Sequence, residues 1–244
     1  MLQPFTFHFY GLFIALGLIF VYFYLKANSK KFNLPFSEIE SAYIVSLIFG
    51  LLGARIYHIF SSLPYYLNHP LQIFFVWQGG LGIFGLILGV FLGLLLFSKF
   101  KKVSLISLLN LFFPPLLLAQ ALGRIGNYFN NEGFGLPTNL PWGIFIPISF
   151  RPTQYISYSY FHPTFFYEAI LCFVAFLLYR LISKKTKKTN FGFAYYLISY
   201  GIIRFFTEFF RIDTWVIGQI KVGFVLSVLI LGLGVTLLLK PKKC

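Results

Sequence analysis

The chain has 244 residues, of which 58% are hydrophobic and 11% charged, and its 20 lysines and arginines face only 6 acidic residues. A soluble domain cannot bury so much apolar surface, so the composition argues against a soluble protein and predicts membrane-spanning helices. The net charge of +14 would suggest nucleic-acid binding in a soluble protein. Here most lysines fall in short clusters between apolar runs, where anionic lipid headgroups can pair with them. We therefore expect no nucleic-acid partner.

Seven apolar runs follow one another along the chain. Each has about the 20 residues needed to cross a bilayer. The first run lacks a basic leader and an Ala-x-Ala-like cleavage site, so we expect it to be retained rather than removed as a signal peptide. The sequence predicts an all-α integral membrane protein with one transmembrane domain over residues 1–244. The runs cover roughly residues 5–25, 41–60, 80–98, 103–122, 163–182, 191–210 and 219–239.

The basic clusters predict the orientation of these helices. Fourteen of the 20 basic residues follow alternate runs, whereas the loop SSLPYYLNHP after the second run has no lysine or arginine. By the positive-inside rule the N-terminus is then outside and the C-terminus cytoplasmic. The clusters are Lys26, Lys30 and Lys31; Lys99, Lys101 and Lys102; Arg180, Lys184, Lys185, Lys187 and Lys188; and Lys240, Lys242 and Lys243.

The second and third runs each contain one unusual feature. Arg55 lies inside the second run with no carboxylate close to it in sequence, so it needs a distant partner or a phosphate. In the third run, small residues recur every three or four positions, which favours close helix packing. These residues are Gly82, Gly85, Gly89 and Gly93.

The stretch GRIGNYFNNEGFG, residues 123–135, brings polar groups to the end of the fourth run. Arg124 and Asn127 are i,i+3 neighbours, and the glycines predict a re-entrant segment that lines protein or a wet cavity. An arginine fork suits phosphate or carboxylate. The alternative is an ordinary helix-end loop whose arginine reaches the interface. Residues 127–161, rich in aromatics and prolines, are predicted to form a small extracytoplasmic head at the membrane interface.

The sixth run ends in YGIIRFFTEFFRID, where Tyr200, Arg204, Glu208 and Arg211 share one helix face. Arg204 and Glu208 can pair at i,i+4. A charge at the centre of a span costs at least ~2.5 kcal/mol, so the pair must face protein or water. It either joins two helices or belongs to a functional site. Arg211 adds a surplus positive charge unless Asp213 neutralises it.

The fifth run opens with HPTFFYEA, in which Pro163 suits the first helical turn. His162 alone is more typical of a structural interface, and Tyr167 and Glu168 enter the membrane. No metal-ligand spacing, Walker loop or Gly-x-Ser-x-Gly elbow occurs, so we expect no metal or cofactor. Arginines, carboxylates and amides at the outer face suit a phospholipid headgroup, with the arginines stabilising charge on a departing phosphate.

Together these motifs resemble the bacterial prolipoprotein diacylglyceryl transferase family. GRIGNYFNNEGFG with LPTNLPWG, HPTFFYEA, YGIIRFFTEFFRID and FHFYGLFIALG occur in family order from about Tyr10 to Asp213. The resemblance implies a seven-span protein of the bacterial inner membrane with a small outer head. It implies transfer of the diacylglyceryl group of phosphatidylglycerol to the lipobox cysteine thiol of a prolipoprotein signal peptide, releasing glycerol phosphate. Phosphatidylglycerol, these signal peptides and membrane lipids are the expected partners.

The resemblance also suggests which residues act. Arg124 and Arg204 would bind the phosphate, and Glu208 would hold Arg204 in place. Arg55 is added to the substrate-binding set on its unpaired charge alone. The predicted catalytic residues are Arg204, Arg124, Glu208 and Tyr200; the predicted substrate-binding residues are Arg124, Asn127, Glu132, Gly135, Tyr10, Arg211 and Arg55.

One position departs from the family pattern. Many members have a histidine followed by two glycines where GGLGIFGL places Phe84 and, at the second glycine, Leu86. In those members the histidine is a proposed base for the thiol, and phenylalanine cannot accept a proton. Either the thiol ionises in the field of the arginines, or His58 or His162 substitutes, or the protein binds lipid or lipoprotein without catalysis. A transporter is less consistent, because inverted repeats are not evident.

Overall fold

The computed structural model describes residues 9–32, 34–76, 79–186 and 190–239. Lys187, Lys188 and the C-terminal lysines of the predicted basic clusters lie outside these ranges, as do the first residues of the first apolar run. The described residues are mainly α-helical, with short 3₁₀ helices and four two-residue strands in the connections. Their helices are α1 (Phe9–Asn28), α2 (Phe36–Ser61), α3 (Leu63–Asn68), α4 (Ile83–Lys101), α5 (Leu105–Phe129), α6 (Thr164–Ile182), α7 (Phe191–Glu208) and α8 (Val222–Leu239).

Six helices in the described ranges are long and apolar enough to cross a membrane: α1 with the turn after it, α2, α4, α5, α6 and α8. They coincide with six of the seven predicted apolar runs. The remaining run forms α7, which has 18 residues but carries Arg204, Glu208 and three tyrosines. These polar groups lower its mean hydropathy, so α7 does not satisfy the same criterion.

The chain divides into two compact units; the described residues between 24 and 112 form one, and those between 9 and 23 and between 113 and 239 form the other. In the first unit, α2 and α4 pack backbone to backbone through glycines. A Cβ atom added to Gly85 would overlap the carbonyl oxygen of Gly53 and lie 2.5 Å from Tyr57 Cβ, and one added to Gly89 would overlap the carbonyl oxygen of Phe49. The predicted role of the glycine stripe in close packing is confirmed.

Replacing Gly85 by alanine is therefore expected to destabilise this unit by about 1–3 kcal/mol, the usual cost of overpacking. Thermal unfolding of the purified protein in detergent measures the effect as a lower Tm. Gly232→Ala in α8 is the matched control, because a Cβ there meets nothing within 4 Å. Equal Tm values for the two variants would show that α2 and α4 tolerate separation.

In the second unit, α5 carries the polar stretch as a regular helix that continues to Phe129. The predicted re-entrant segment is therefore wrong. The helix is continuous through Arg124 and Asn127, so the peptide groups there bond within the helix rather than to a cavity. The turn comes later, at Asn131 and Gly133, which have φ angles of 52° and 67°.

Residues 130–163 connect α5 to α6 through a small, mostly irregular segment. Strand β1 (Ile144–Phe145) pairs antiparallel with β2 (Tyr160–Phe161), with Ile144 opposite Phe161. An apolar cluster anchors this segment to the start of α6. Its buried members are Phe134, Ile146, Phe161 and Phe165.

A second hairpin joins α7 to α8. Strand β3 (Val216–Ile217) pairs antiparallel with β4 (Ile220–Lys221) across a two-residue turn in which Gly218 has a φ of 63°. Lys221 Nζ donates hydrogen bonds to the carbonyl oxygens of Glu208 (3.1 Å) and Arg211 (2.9 Å). The hairpin therefore returns the start of α8 to the end of α7, where the polar face of α7 terminates.

Candidate functional site

The carboxylate of Glu168, on the second turn of α6, lies at the centre of a buried ionic cluster. Its Oε1 is 3.0 Å from Arg124 Nη2, and its Oε2 is 3.5 Å from Arg204 Nη1 and 3.8 Å from Arg211 Nη1. Glu168 is only 1% exposed. Three guanidinium groups from α5, α7 and the segment after α7 thus meet on one carboxylate, which reduces the cost of burying each of them.

Arg204 and Glu208 form the predicted i,i+4 pair on α7, with Arg204 Nη2 2.7 Å from Glu208 Oε2. The pairing prediction is confirmed. Arg204 also reaches Glu168, so its planar fork spans two carboxylates on different helices. The second oxygen of Glu208 accepts a hydrogen bond from the hydroxyl of Thr214.

Arg211 and Asp213 complete the cluster just beyond α7. Arg211 Nη2 is 2.9 Å from Asp213 Oδ2, so Asp213 supplies the neutralising charge that the sequence left open. The three arginines are then matched by Glu168, Glu208 and Asp213. Burial lowers the pKa of Arg211 and Asp213 opposes that shift; a guanidinium nevertheless stays protonated. Among the described residues, Arg211 Nε is buried and has no hydrogen-bond partner.

Arg124 lies at the more accessible edge, with 17% of its side chain exposed against 10% for Arg211 and 5% for Arg204. Its Nη1 donates to Asn127 Oδ1 at 3.3 Å. The carbonyl of Asn127 accepts the backbone N–H of Glu132 at 3.1 Å. Burial raises the pKa of the Glu132 carboxyl, while a hydrogen bond from Asn130 lowers it. Near the end of α5, the side-chain amide of Asn127 therefore holds the guanidinium of Arg124 through a hydrogen bond.

The other predicted residues of this unit occupy packing positions around the cluster. Tyr10, on α1, packs on α5, with its Cδ2 3.0 Å from where a Cβ on Gly126 would lie. Tyr200 is fully buried one turn before Arg204 and stacks on Tyr196 at 5.8 Å between ring centroids.

Gly135 lies where three segments meet. Its N–H donates to the His162 carbonyl at 2.8 Å, and an added Cβ would lie 2.6 Å from the carbonyl oxygen of Phe210. Any larger residue would therefore push the segment after α5 away from the segment after α7. Gly135 thus keeps the end of α7, with its arginines, against the start of α6.

Arg55 belongs to the other unit, and backbone carbonyls surround its guanidinium. It donates to the carbonyl oxygens of Ile73 (2.9 Å), Gly79 (2.7 Å) and Gly80 (3.2 Å), and also to that of Gln72. These carbonyl dipoles stabilise its charge, which explains how an arginine without a nearby carboxylate is tolerated in α2. Sequence could not reveal partners that are backbone carbonyls of the 3₁₀ helix Pro70–Phe74 and of the two glycines that follow it.

The positions considered for the thiol base have different surroundings. Phe84, on α4, is 8% exposed and lies 6.0 Å from the ring of Tyr57, as a core residue would. His58 lines a polar cavity with Arg55 and the loop after α2. His162 Nδ1 is 3.1 Å from the Tyr167 hydroxyl, and burial lowers the pKa of its imidazole.

Glu168 is the site residue that the sequence reasoning did not assign. Its signal was present, because a lone carboxylate inside an apolar run requires a cationic partner. Arg124 and Arg204 precede and follow it by 44 and 36 residues, and no periodicity along a single helix predicts such a contact.

Fold and site together define a multi-pass helical membrane protein with a buried arginine–carboxylate cluster where α5, α6 and α7 end or begin. The profile of the prolipoprotein diacylglyceryl transferase family matches residues 1–240. Similar proteins named phosphatidylglycerol–prolipoprotein diacylglyceryl transferase occur in several bacteria. That of Prochlorococcus marinus is 38% identical over 87% of this chain and 78% of its own length. Those of Nostoc sp. and Thermotoga maritima are each 37% identical over 95% of this chain, covering 84% and 80% of their lengths. The chain therefore belongs to the prolipoprotein diacylglyceryl transferase family.

Proposed function

We propose that the chain transfers the diacylglyceryl group of phosphatidylglycerol to the thiol of a lipobox cysteine in prolipoproteins. The names of its relatives supply the two substrate classes. The observation that supports a phosphate-directed reaction is the gathering of Arg124, Arg204 and Arg211 around Glu168, with one buried guanidinium nitrogen of Arg211 unpartnered among the described residues. An anionic headgroup is the chemistry that such donors bind.

In this reaction the cysteine sulfur attacks the glyceryl carbon that bears the phosphate. A sulfur–carbon bond forms, the carbon–oxygen bond breaks, and the electron pair leaves with the oxygen of glycerol phosphate. The departing phosphate gains one negative charge as the thiol loses its proton. Arg124 and Arg204 would stabilise this charge, since prearranged donors act most strongly where charge develops. Glu208 would hold Arg204, and Tyr200 would fix the helix face that carries it.

The remaining residues would shape the headgroup site. Asn127 supports Arg124, and Glu132 is bonded through its N–H to the Asn127 carbonyl. Tyr10 would close the α1 side, and Gly135 would keep the outer segment close to α7. Arg211 would take the outer side of the phosphate. Arg55 stays in the proposed substrate-binding set on its charge alone, and its guanidinium bonds backbone carbonyls.

The cysteine thiol would ionise in the positive field of the arginines, because a neighbouring cation lowers a thiol pKa. This proposal does not require a histidine at position 84. The non-catalytic alternative is not favoured, since relatives that cover most of the chain are named as transferases.

We place the protein in the bacterial cytoplasmic membrane, with α7 as a seventh span. Lys99 and Lys101 lie in the last turn of α4, and Lys26 in that of α1, which supports a cytoplasmic position for those helix ends. The N-terminus would then be outside, the C-terminus cytoplasmic, and residues 127–161 the outer head. The partners would be phosphatidylglycerol, prolipoprotein signal peptides and surrounding lipids, without nucleic acid.

Asp213 provides a test of the anion site. Its side chain is 47% exposed, so an incoming phosphate can displace it from Arg211. Asp213→Asn removes this competing carboxylate and should lower the KM for phosphatidylglycerol by about two- to fivefold, which corresponds to the free energy of an accessible ion pair. Steady-state kinetics in mixed micelles measure this KM. Glu40→Gln, at the start of α2, is the control for removing a carboxylate elsewhere. A raised KM would mean that Asp213 instead positions Arg211 for substrate.

The transfer assay tests the function itself. Purified protein in detergent receives phosphatidylglycerol and a lipobox peptide, and mass spectrometry measures the cysteine adduct. We expect the mass of a diacylglyceryl group on the peptide and stoichiometric glycerol phosphate. A wild-type protein that forms no adduct, while the Thermotoga maritima relative does so in the same preparation, would disprove the proposal and restore the binding-only alternative.

A further inference from the structure

Glu208 lies in an enclosure that the residues after α7 build around it. Its side chain is completely buried. One carboxylate oxygen accepts a hydrogen bond from Arg204 Nη2 at 2.7 Å, and the other accepts one from the hydroxyl of Thr214. A buried carboxylate with both oxygens bonded has one permitted orientation, because rotation would break a charge-assisted hydrogen bond without replacement by water.

The first turn of α8 forms the third side of this enclosure. A Cβ added to Gly223 would overlap both carboxylate oxygens of Glu208, so the backbone of α8 lies in direct contact with the charge. A helix N-terminus favours a carboxylate there through its unpaired N–H groups and its dipole. Position 223 must remain glycine for this contact to exist.

Lys221 and the β3–β4 hairpin keep the enclosure closed. Lys221 Nζ bonds the carbonyls of Glu208 and Arg211, and the N–H of Val222 donates to the carbonyl of Trp215 at 2.9 Å. Thr214 therefore lies between the end of α7 and a hairpin that is closed by the Val222–Trp215 bond and tied to α7 through Lys221. From this segment its hydroxyl donates to Glu208 Oε1.

From these contacts we propose that Thr214 is a positioning residue. Gly223 has the same role through its backbone, which lies against the Glu208 carboxylate. Together they orient Glu208 so that the fork of Arg204 points at Glu168 and the phosphate. The inference rests on the proposed transferase function for its kinetic readout. Thr214 does not touch substrate; it acts through Glu208 and then Arg204, the path traced by the contacts Thr214–Glu208, Glu208–Arg204 and Arg204–Glu168.

The kinetic test replaces Thr214 by valine, which keeps its shape and removes its hydroxyl. One oxygen of Glu208 then loses its donor, and we expect kcat to fall about tenfold, while KM for phosphatidylglycerol changes less than about twofold. Thr214→Ser restores the hydroxyl and should recover kcat to within about twofold. Gly223→Ala should lower kcat to a similar extent as Thr214→Val. Thr236→Val is the matched control, since the Thr236 hydroxyl bonds its own exposed helix turn at 2.9 Å.

A second readout does not depend on turnover. In protein labelled with ¹⁵N-arginine, solvent exchange of the Arg204 Nη–H groups, which bond Glu208 and Glu168, should accelerate in Thr214→Val and stay slow in Thr214→Ser. Wild-type kcat in the valine variant, unchanged exchange, or failure of serine to rescue would each overturn the positioning role. Absence of transfer by the wild type would overturn the proposed function instead, and the exchange measurement would still decide the inference.

Discussion

Arg204→Ala is expected to reduce the rate of diacylglyceryl transfer by at least about 100-fold, the usual effect of removing one donor that stabilises a developing oxyanion. The loss should exceed that of a single ion pair because Arg204 spans two carboxylates, with Nη2 2.7 Å from Glu208 and Nη1 3.5 Å from Glu168. Steady-state transfer to a lipobox peptide, measured by mass spectrometry, gives the rate.

A companion variant separates charge from geometry. Arg204→Lys keeps the positive charge, but one ammonium cannot bond both carboxylates with the fixed fork of a guanidinium. We expect it to fold and to transfer at a rate between those of wild type and alanine. Arg180→Ala, at the far end of α6, is the control, because Arg180 is exposed. Full activity in the lysine variant would show that only the charge matters, and full activity in the alanine variant would remove Arg204 from the mechanism.

The sequence contained enough local pattern to predict most helices of the fold. Runs of about 20 apolar residues predicted the six membrane-length helices, because hydrophobic length is a property of one segment. Within α7, the i,i+4 spacing predicted the Arg204–Glu208 pair for the same reason. The glycine spacing in α4 predicted close helix packing, although neither the partner helix α2 nor its glycine Gly53.

The errors and omissions arose where the fold depends on contacts between distant segments. The glycines of residues 123–135 suggested a break in the helix, yet α5 continues to Phe129; Gly126 instead makes room for Tyr10 of α1. The carbonyls that hold Arg55 come from a loop 17 to 25 residues away. Glu168 was seen only as a carboxylate entering the membrane, because its three arginine partners lie on other elements.

Glu168→Gln is expected to have an effect as large as Arg204→Ala, for a different physical reason. Glutamine matches the shape of glutamate, but it has one acceptor oxygen and an amide group that would face a guanidinium donor to donor. The cluster would also gain one uncompensated positive charge from Arg124, Arg204 and Arg211. Breaking a buried pair in this way typically costs about 3–5 kcal/mol of unfolding free energy. We expect transfer to fall by about 100-fold or more, together with a lower Tm.

The falls in Tm and in rate must be separated, because a carboxylate that only joined α5, α6 and α7 would also lower both. Counting the folded fraction by size-exclusion chromatography and dividing the rate by it gives turnover per folded molecule. That turnover should remain about 100-fold low in Glu168→Gln, since the arginines are no longer aimed at one point. Glu168→Asp keeps the charge on a shorter stem and should recover stability more than rate. Wild-type turnover per folded Glu168→Gln molecule would show that Glu168 only joins the helices. The arginines would then orient the phosphate without it.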